Sequence, residues 1–278
     1  MQRRMSSLLA HSLRSGRIKA VLCDIHGVLF DNDEGKTYPV PGSVAAFNCL
    51  VSRGVPVRLV SNESACPPEA VLKHCIQAGL QVTLDQIFVT TPAAYKIISD
   101  RKLRPFVLVN KEVEQFFSSL DQTNPNCVLL GDAIENFHYE SLNKAFRILM
   151  SNPDAQLISL GVGKYYRKGG SGELSLDVGP FTKALEFATG KQAQIIGKPS
   201  KAYFEAALND VGVKASEALM IGDDIVNDVG GGQSAGMQAT LVRTGKYTPS
   251  DEHHAQVKPD LIVDNFASFV HFITQHLN

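Results

Sequence analysis

The feature that most limits the fold is a set of short, wholly apolar runs that each stop at a polar group. Ala20-Val21-Leu22-Cys23 ends on Asp24, with His26 and Gly27 just beyond. A run without polar alternation is the pattern of a strand buried on both faces, as in a parallel sheet flanked by helices. Strands of this kind are predicted at residues 18–23, 55–60, 105–109, 127–130, 156–160, 193–196, 218–221 and 238–242. Helical patterns lie between them, as at residues 43–53, 67–78, 137–150, 202–211 and 225–236. The alternation predicts an α/β chain with a doubly wound, Rossmann-like parallel sheet.

With 278 residues, the chain fits one large domain or two ordinary ones. Residues 93–190 hold three strand patterns and at least two helical ones, enough for an inserted smaller α/β cap domain. The core is then discontinuous, residues 17–92 plus 191–278, preceded by a basic N-terminal extension over residues 1–16. That extension carries Arg3, Arg4 and Arg14, and no acid precedes Asp24. Organelle presequences and basic frayed termini share this composition. Five scattered cysteines without a C-x-x-C pair read as thiols of a reducing compartment. The expected location is therefore cytoplasmic, extending to the nucleus, with mitochondrial as the alternative. A formal net charge of -1 gives no basic footprint for nucleic acid, and no apolar run approaches a membrane span.

Four predicted strand ends carry chemistry: Asp24 with His26, Ser61-Asn62, Lys198, and Asp223-Asp224 followed by Asp228. Singly, each could be a cap or a solvated side chain. Together they fall on one edge of one sheet, where ligand crevices of open α/β folds lie. Phosphoryl transfer uses such a set. Asp24 is the expected nucleophile, becoming an aspartyl phosphate. Carboxylate and phosphate repel, so a cation is needed between them. Mg2+ is the expected cofactor, with Asp24, Asp223 and the backbone carbonyl of His26 as ligands. Lys198 would neutralise transferring oxygens, Ser61 and the Asn62 backbone would donate hydrogen bonds, and Asp224 and Asp228 would support from behind.

The motifs Asp24-Ile25-His26-Gly27-Val28, Ser61-Asn62, Lys198 and Gly222-Asp223-Asp224 with Asp228 resemble, in order, the four motifs of the haloacid-dehalogenase-like hydrolase superfamily. The intervening cap resembles that of the branch containing N-acetylglucosamine-phosphate, pyridoxal-phosphate and 4-nitrophenyl phosphatases. Nearly the whole chain shares in the resemblance, including "SNES", "GKPS" and "VRTGKY". It implies a phosphatase of inorganic pyrophosphate and of phosphoamidates such as phospholysine and phosphohistidine, assembled as a homodimer. The alternatives are a small-molecule phosphomonoesterase and a catalytically silent phospho-binding protein.

His26 departs from the superfamily pattern, in which a second aspartate serves as acid and base. Either His26 gives only its carbonyl, or its imidazole takes over the proton transfer. A weaker acid matters least for a good leaving group, which favours pyrophosphate and phosphorus–nitrogen substrates over alkyl esters. In the cap, the glycine-rich run at residues 160–174 offers Lys164 and Tyr165, with Tyr166, Arg167 and Lys168 after them, as candidate substrate contacts.

Overall fold

The computed structural model describes residues 2–33, 36–167 and 173–276, and the chain divides into two compact units. The first comprises residues 1–61, 72–88 and 198–278, and the second residues 62–71 and 89–197. In chain order the sheet strands are β1 (Ala20–Cys23), β2 (Val57–Ser61), β3 (Ile87–Val89), β4 (Pro105–Leu108), β5 (Cys127–Leu130), β6 (Gln156–Ser159), β7 (Gln194–Ile195), β8 (Ala218–Gly222), β9 (Gln238–Val242) and β10 (Leu261–Val263). Two short antiparallel hairpins, Phe30–Asp33 with Lys36–Pro39 and Tyr165–Arg167 with Leu174–Leu176, stand apart from the main sheets.

The main sheet runs β10-β9-β8-β1-β2-β3, and its pairings from β10 to β2 are all parallel. Every residue of β1 and β8 is buried, which is why their sequences carry no polar alternation. Helix Lys201–Val211 lays Phe204, Ala207 and Leu208 on a cluster with Leu22, Val60, Met220 and Leu241. Burying each large side chain of this kind contributes about 1.5–3 kcal/mol. Gly212, at φ 77, ends that helix in the left-handed conformation that a side chain would strain. The second unit is α/β too, a parallel sheet ordered β7-β6-β5-β4 whose Leu130 and Leu157 pack with Ala145, Leu149 and Leu185 of its helices.

Four stretches differ from expectation. Residues 2–14 of the basic extension form a helix, because Leu9 and Leu13, one turn apart, are both buried, at 0% and 1% exposure. Strands β3 and β10 are only three residues long, below the run length that signals a strand. The single helix predicted at residues 225–236 is a wide π-helical segment, Ile225–Gly230, followed by a short α-helical turn, Gly231–Ser234. Its first turn is widened because the N–H groups of both Asp228 and Val229 donate to Asp224 O, at 3.0 and 3.2 Å. Among the described residues, no helix is long and apolar enough to cross a membrane.

Candidate active site

Strand order places β1 between β8 and β2, where the chain's winding reverses and a crevice opens beyond the strands' carboxyl ends. Cys23 pairs with Ile221 on one side and Leu59 on the other, so Asp24, Asp223 and Ser61 leave the sheet at neighbouring points. Asp24 is anchored by its own N–H, which donates to Ile221 O at 3.0 Å, while Asp24 Oδ1 accepts from Ile25 N–H at 2.8 Å.

Lys198 begins the returning segment of the first unit, and its ammonium lies 2.7 Å from Asp24 Oδ1 and 2.7 Å from Asp228 Oδ1. It is 3% exposed, too buried to keep its charge without such partners. Burial pulls its pKa down, but the charges of Asp228 and Asp24 more than offset this and hold it above the ordinary lysine value. Asp228 is fully buried and its other oxygen accepts from Asp224 N–H at 3.1 Å. Room for it comes from Gly222, where a Cβ would overlap the Asp228 carboxyl group. Asp224 faces a different task. Its Oδ1 accepts from Val226 N–H at 3.0 Å and Asn227 N–H at 2.9 Å, capping the segment that presents Asp228.

Asp223, 1% exposed, accepts at Oδ2 from Lys246 N–H at 2.7 Å. Gly27, at φ 80, and Gly245, at φ 63, close around it, and a Cβ on either would overlap its carboxylate. Thr244 Oγ1 donates to Gly27 O at 2.5 Å, tying the loop after β9 to the loop after β1. Burial first, then the charges of Asp24 and Asp228, push the Asp223 carboxyl well above the usual carboxylate range. The Asp228 carboxyl is raised by burial and by Asp24, against the opposing pull of Lys198.

The geometry fits a divalent cation. Asp24, Asp223 and Asp228 each offer a carboxylate oxygen within 4.8 Å of the others. Asp223 Oδ1 is buried with no hydrogen-bond partner among the described residues. Three buried carboxylates facing one buried ammonium leave a surplus of negative charge, and an all-oxygen donor set of this kind suits a hard cation.

Ser61 ends β2 and is 3% exposed. Its carbonyl and that of Phe88 share the hydroxyl proton of buried Tyr203, at 3.0 and 2.7 Å. Asn62 follows directly in sequence but is counted with the second unit. His26 is half-buried beside Gly27, whose N–H turns back to Phe30 O at 2.6 Å. Near it stands His74, packed edge-on against Phe30, with its pKa lowered first by burial and then by His26. Lys164 and Tyr165 are exposed residues of the second unit. Of the candidate contacts after them, Lys168 and the side chains of Tyr166 and Arg167 lie outside the described residues.

Sequence reasoning singled out neither Lys246, Thr244 and Gly245 nor Tyr203. The first three were open to discovery, since residues 238–242 were predicted as a strand of the same sheet and so deliver their next residues to the same edge. Tyr203 sits on the apolar face of its helix, and nothing in that pattern marks its hydroxyl.

Among solved structures, the chain is similar to a 4-nitrophenylphosphatase from Thermotoga maritima, with a TM-score of 0.82 at 24% identity over 92% of this chain and 97% of the other. It is also similar to NagD from Escherichia coli, with a TM-score of 0.78 at 22% identity over 90% and 97%. These define the fold as α/β, mostly parallel sheets flanked by helices, of the NagD-like kind with a cap domain. A haloacid dehalogenase-like hydrolase model matches residues 21–123, and a HAD-hydrolase-like model matches residues 195–269. The chain is 46% identical to phospholysine phosphohistidine inorganic pyrophosphate phosphatase from Bos taurus, over 95% of this chain and 97% of that one. It is 40% identical to haloacid dehalogenase-like hydrolase domain-containing protein 2 from Pongo abelii, over 94% and 97%. The chain belongs to the haloacid dehalogenase-like hydrolases.

Proposed function

We propose that this phosphatase is a magnesium-dependent phosphohydrolase that forms an aspartyl phosphate on Asp24 and acts on inorganic pyrophosphate and phosphoamidates, including phospholysine and phosphohistidine. The observation that carries the reading is the buried cluster at the sheet edge. Asp24 holds Lys198 at 2.7 Å through Oδ1, while its Oδ2 carries no hydrogen bond among the described residues, and Asp223 and Asp228 stand within 4.8 Å. The relatives named for these substrates support the substrate class.

Asp24 attacks phosphorus, the bond to the leaving group breaks with its electron pair on the departing atom, and water then hydrolyses the acyl phosphate at phosphorus. Held by Asp24, Asp223 and the His26 carbonyl, with Asp228 beside them, magnesium would supply the charge screening that lets a carboxylate meet a phosphate dianion. Lys198 neutralises the transferring oxygens from a position fixed by Asp228. Ser61 and the Asn62 backbone donate to the same group, and Tyr203 fixes the Ser61 carbonyl so that the loop cannot drift. His26 stands at the position where the superfamily carries its proton-transferring aspartate. A homodimer in the cytoplasm completes the reading, on the resemblance and on five free cysteines.

The test is phosphate release from pyrophosphate, phospholysine, phosphohistidine, pyridoxal phosphate and a sugar phosphate, with magnesium or with chelator. Asp24→Asn is expected to abolish turnover of every substrate, and chelator to do the same to the wild type. Turnover surviving in Asp24→Asn would remove the nucleophile, and a preference for the monoesters would replace the substrate class.

A further inference from the structure

One cation at this site has no task in the reading above. Lys246 lies in the loop that follows β9, on the sheet edge that also presents Asp24 and Asp223. That loop is fixed at its backbone: Thr244 Oγ1 donates to Gly27 O at 2.5 Å, and Lys246 N–H donates to Asp223 Oδ2 at 2.7 Å. Its flanks are committed as well. Arg243 Nε and Tyr247 Oη each donate to Glu252 Oε1 at 2.8 Å, and Arg243 reaches Asp264 at 2.8 Å on its other side.

The Lys246 side chain differs from both neighbours. It is exposed, and it forms no hydrogen bond or ion pair with any described residue. The residue is thus rooted beside the acidic cluster through its backbone N–H on Asp223, and its ammonium is not spent on any one carboxylate. Lys198 is in the opposite condition, buried and bonded at 2.7 Å to both Asp24 and Asp228.

Resting on the pyrophosphate reading above, we propose that Lys246 is a specificity-determining residue that binds the departing phosphate of pyrophosphate. As the Asp24 oxygen bonds to one phosphorus, the bridging P–O bond breaks and its electron pair stays on the departing orthophosphate, whose charge grows by one. Where an acid stands beside the leaving oxygen, a proton meets that charge. Here the position of the second aspartate is His26, and the Lys246 ammonium, carried on a backbone held at Asp223, meets it instead, with the orthophosphate taking its proton from solvent after release. A compact ammonium brought to the departing oxygens stabilises the charge that grows there as the bond breaks. A leaving group with less charge on it draws far less on Lys246.

The experiment compares Lys246→Met and Lys246→Arg with the wild type, measuring kcat and KM on pyrophosphate and on 4-nitrophenyl phosphate in magnesium. Methionine keeps the backbone N–H on Asp223 and the aliphatic stem, so only the charge is removed. Lys246→Met is expected to lower kcat/KM on pyrophosphate by about tenfold to a hundredfold, the worth of a charge-assisted hydrogen bond. On 4-nitrophenyl phosphate the loss is expected to stay under about threefold. Lys246→Arg is expected to recover most of the pyrophosphate rate, which a merely structural role for the stem would not require. Equal losses on both substrates, or an unchanged pyrophosphate rate, overturn the assignment of Lys246 and leave the proposed function standing. A wild type that turns over 4-nitrophenyl phosphate but not pyrophosphate overturns both.

Discussion

Replacing Asp223 by asparagine tests the charge surplus on which the cation argument depends. Its carboxylate lies within 4.8 Å of those of Asp24 and Asp228. At that distance and an effective dielectric of about 20, each like-charge pair costs about 3.5 kcal/mol. Lys198 sits 2.7 Å from both of the other carboxylates, and Lys246 stands nearby, so most of this is offset. A net relief of about 2 kcal/mol is expected from Asp223→Asn in cation-free protein. Asparagine has the same shape, its amide oxygen can accept from Lys246 N–H, and its NH2 can donate to the carboxylates it faces. In chelator the variant should therefore melt about 4–8 °C above the wild type. Because burial and the neighbouring charges raise the folded pKa of Asp223, its ionised form costs stability above that pKa, and the cost fades as pH falls through it. The gap between variant and wild type should accordingly narrow on acidification. Magnesium at a hundred times its Kd should stabilise the wild type by about 2.7 kcal/mol and the variant by much less. Scanning calorimetry in chelator and in magnesium, at several pH values, measures all of this. A variant that melts below the wild type in chelator, or that keeps the full magnesium shift, would refute the reasoning.

Two further outcomes can be checked by the same means. Tyr203→Phe removes a buried hydroxyl shared by the carbonyls of Phe88 and Ser61, and should cost about 1–3 kcal/mol in a melting curve while lowering kcat through a looser Ser61 loop. Burial, then Asp177, raises the Asp132 carboxyl to about 6, so its ionised form costs stability above that pH and the cost is lost below it. Asp132→Asn should raise the melting point at pH 7.5 by the equivalent of about 1 kcal/mol, discounted for the partial exposure of the group, and the gain should shrink by pH 5.

The parts of the fold that were legible are those in which one physical requirement wrote the sequence. Double burial demanded an unbroken apolar run in β1 and β8, so their existence and their following polar residues could be read directly. What packing decides was harder to see. Ile87–Val89 and Leu261–Val263 are strands because a sheet already formed accepts them, not because three residues declare a period. The widened turn at Ile225–Gly230 follows from how Asp224 O collects two N–H groups, which no helical periodicity anticipates. At the site, Asp24, Asp223, Asp228 and Lys198 were all singled out, and the structure brings them together at one sheet edge. Lys246 meets Asp223 through its backbone N–H, a place that the end of β9 marks, whereas Tyr203 meets the Ser61 carbonyl through a single hydroxyl that neither residue type nor spacing marks.

The pairing of β1 with β8 also sets a timetable. Ala20 must wait for Ala218, so the central strand leaves the ribosome about 200 residues ahead of one of its two neighbours. At synthesis rates of about 5–20 residues per second, that is a delay of roughly 10–40 s. For that interval the edge of β1 meant for β8 has no native partner, and Asp24 has neither Asp223 nor Lys198 beside it. The growing chain therefore carries its reactive carboxylate long before it can use it.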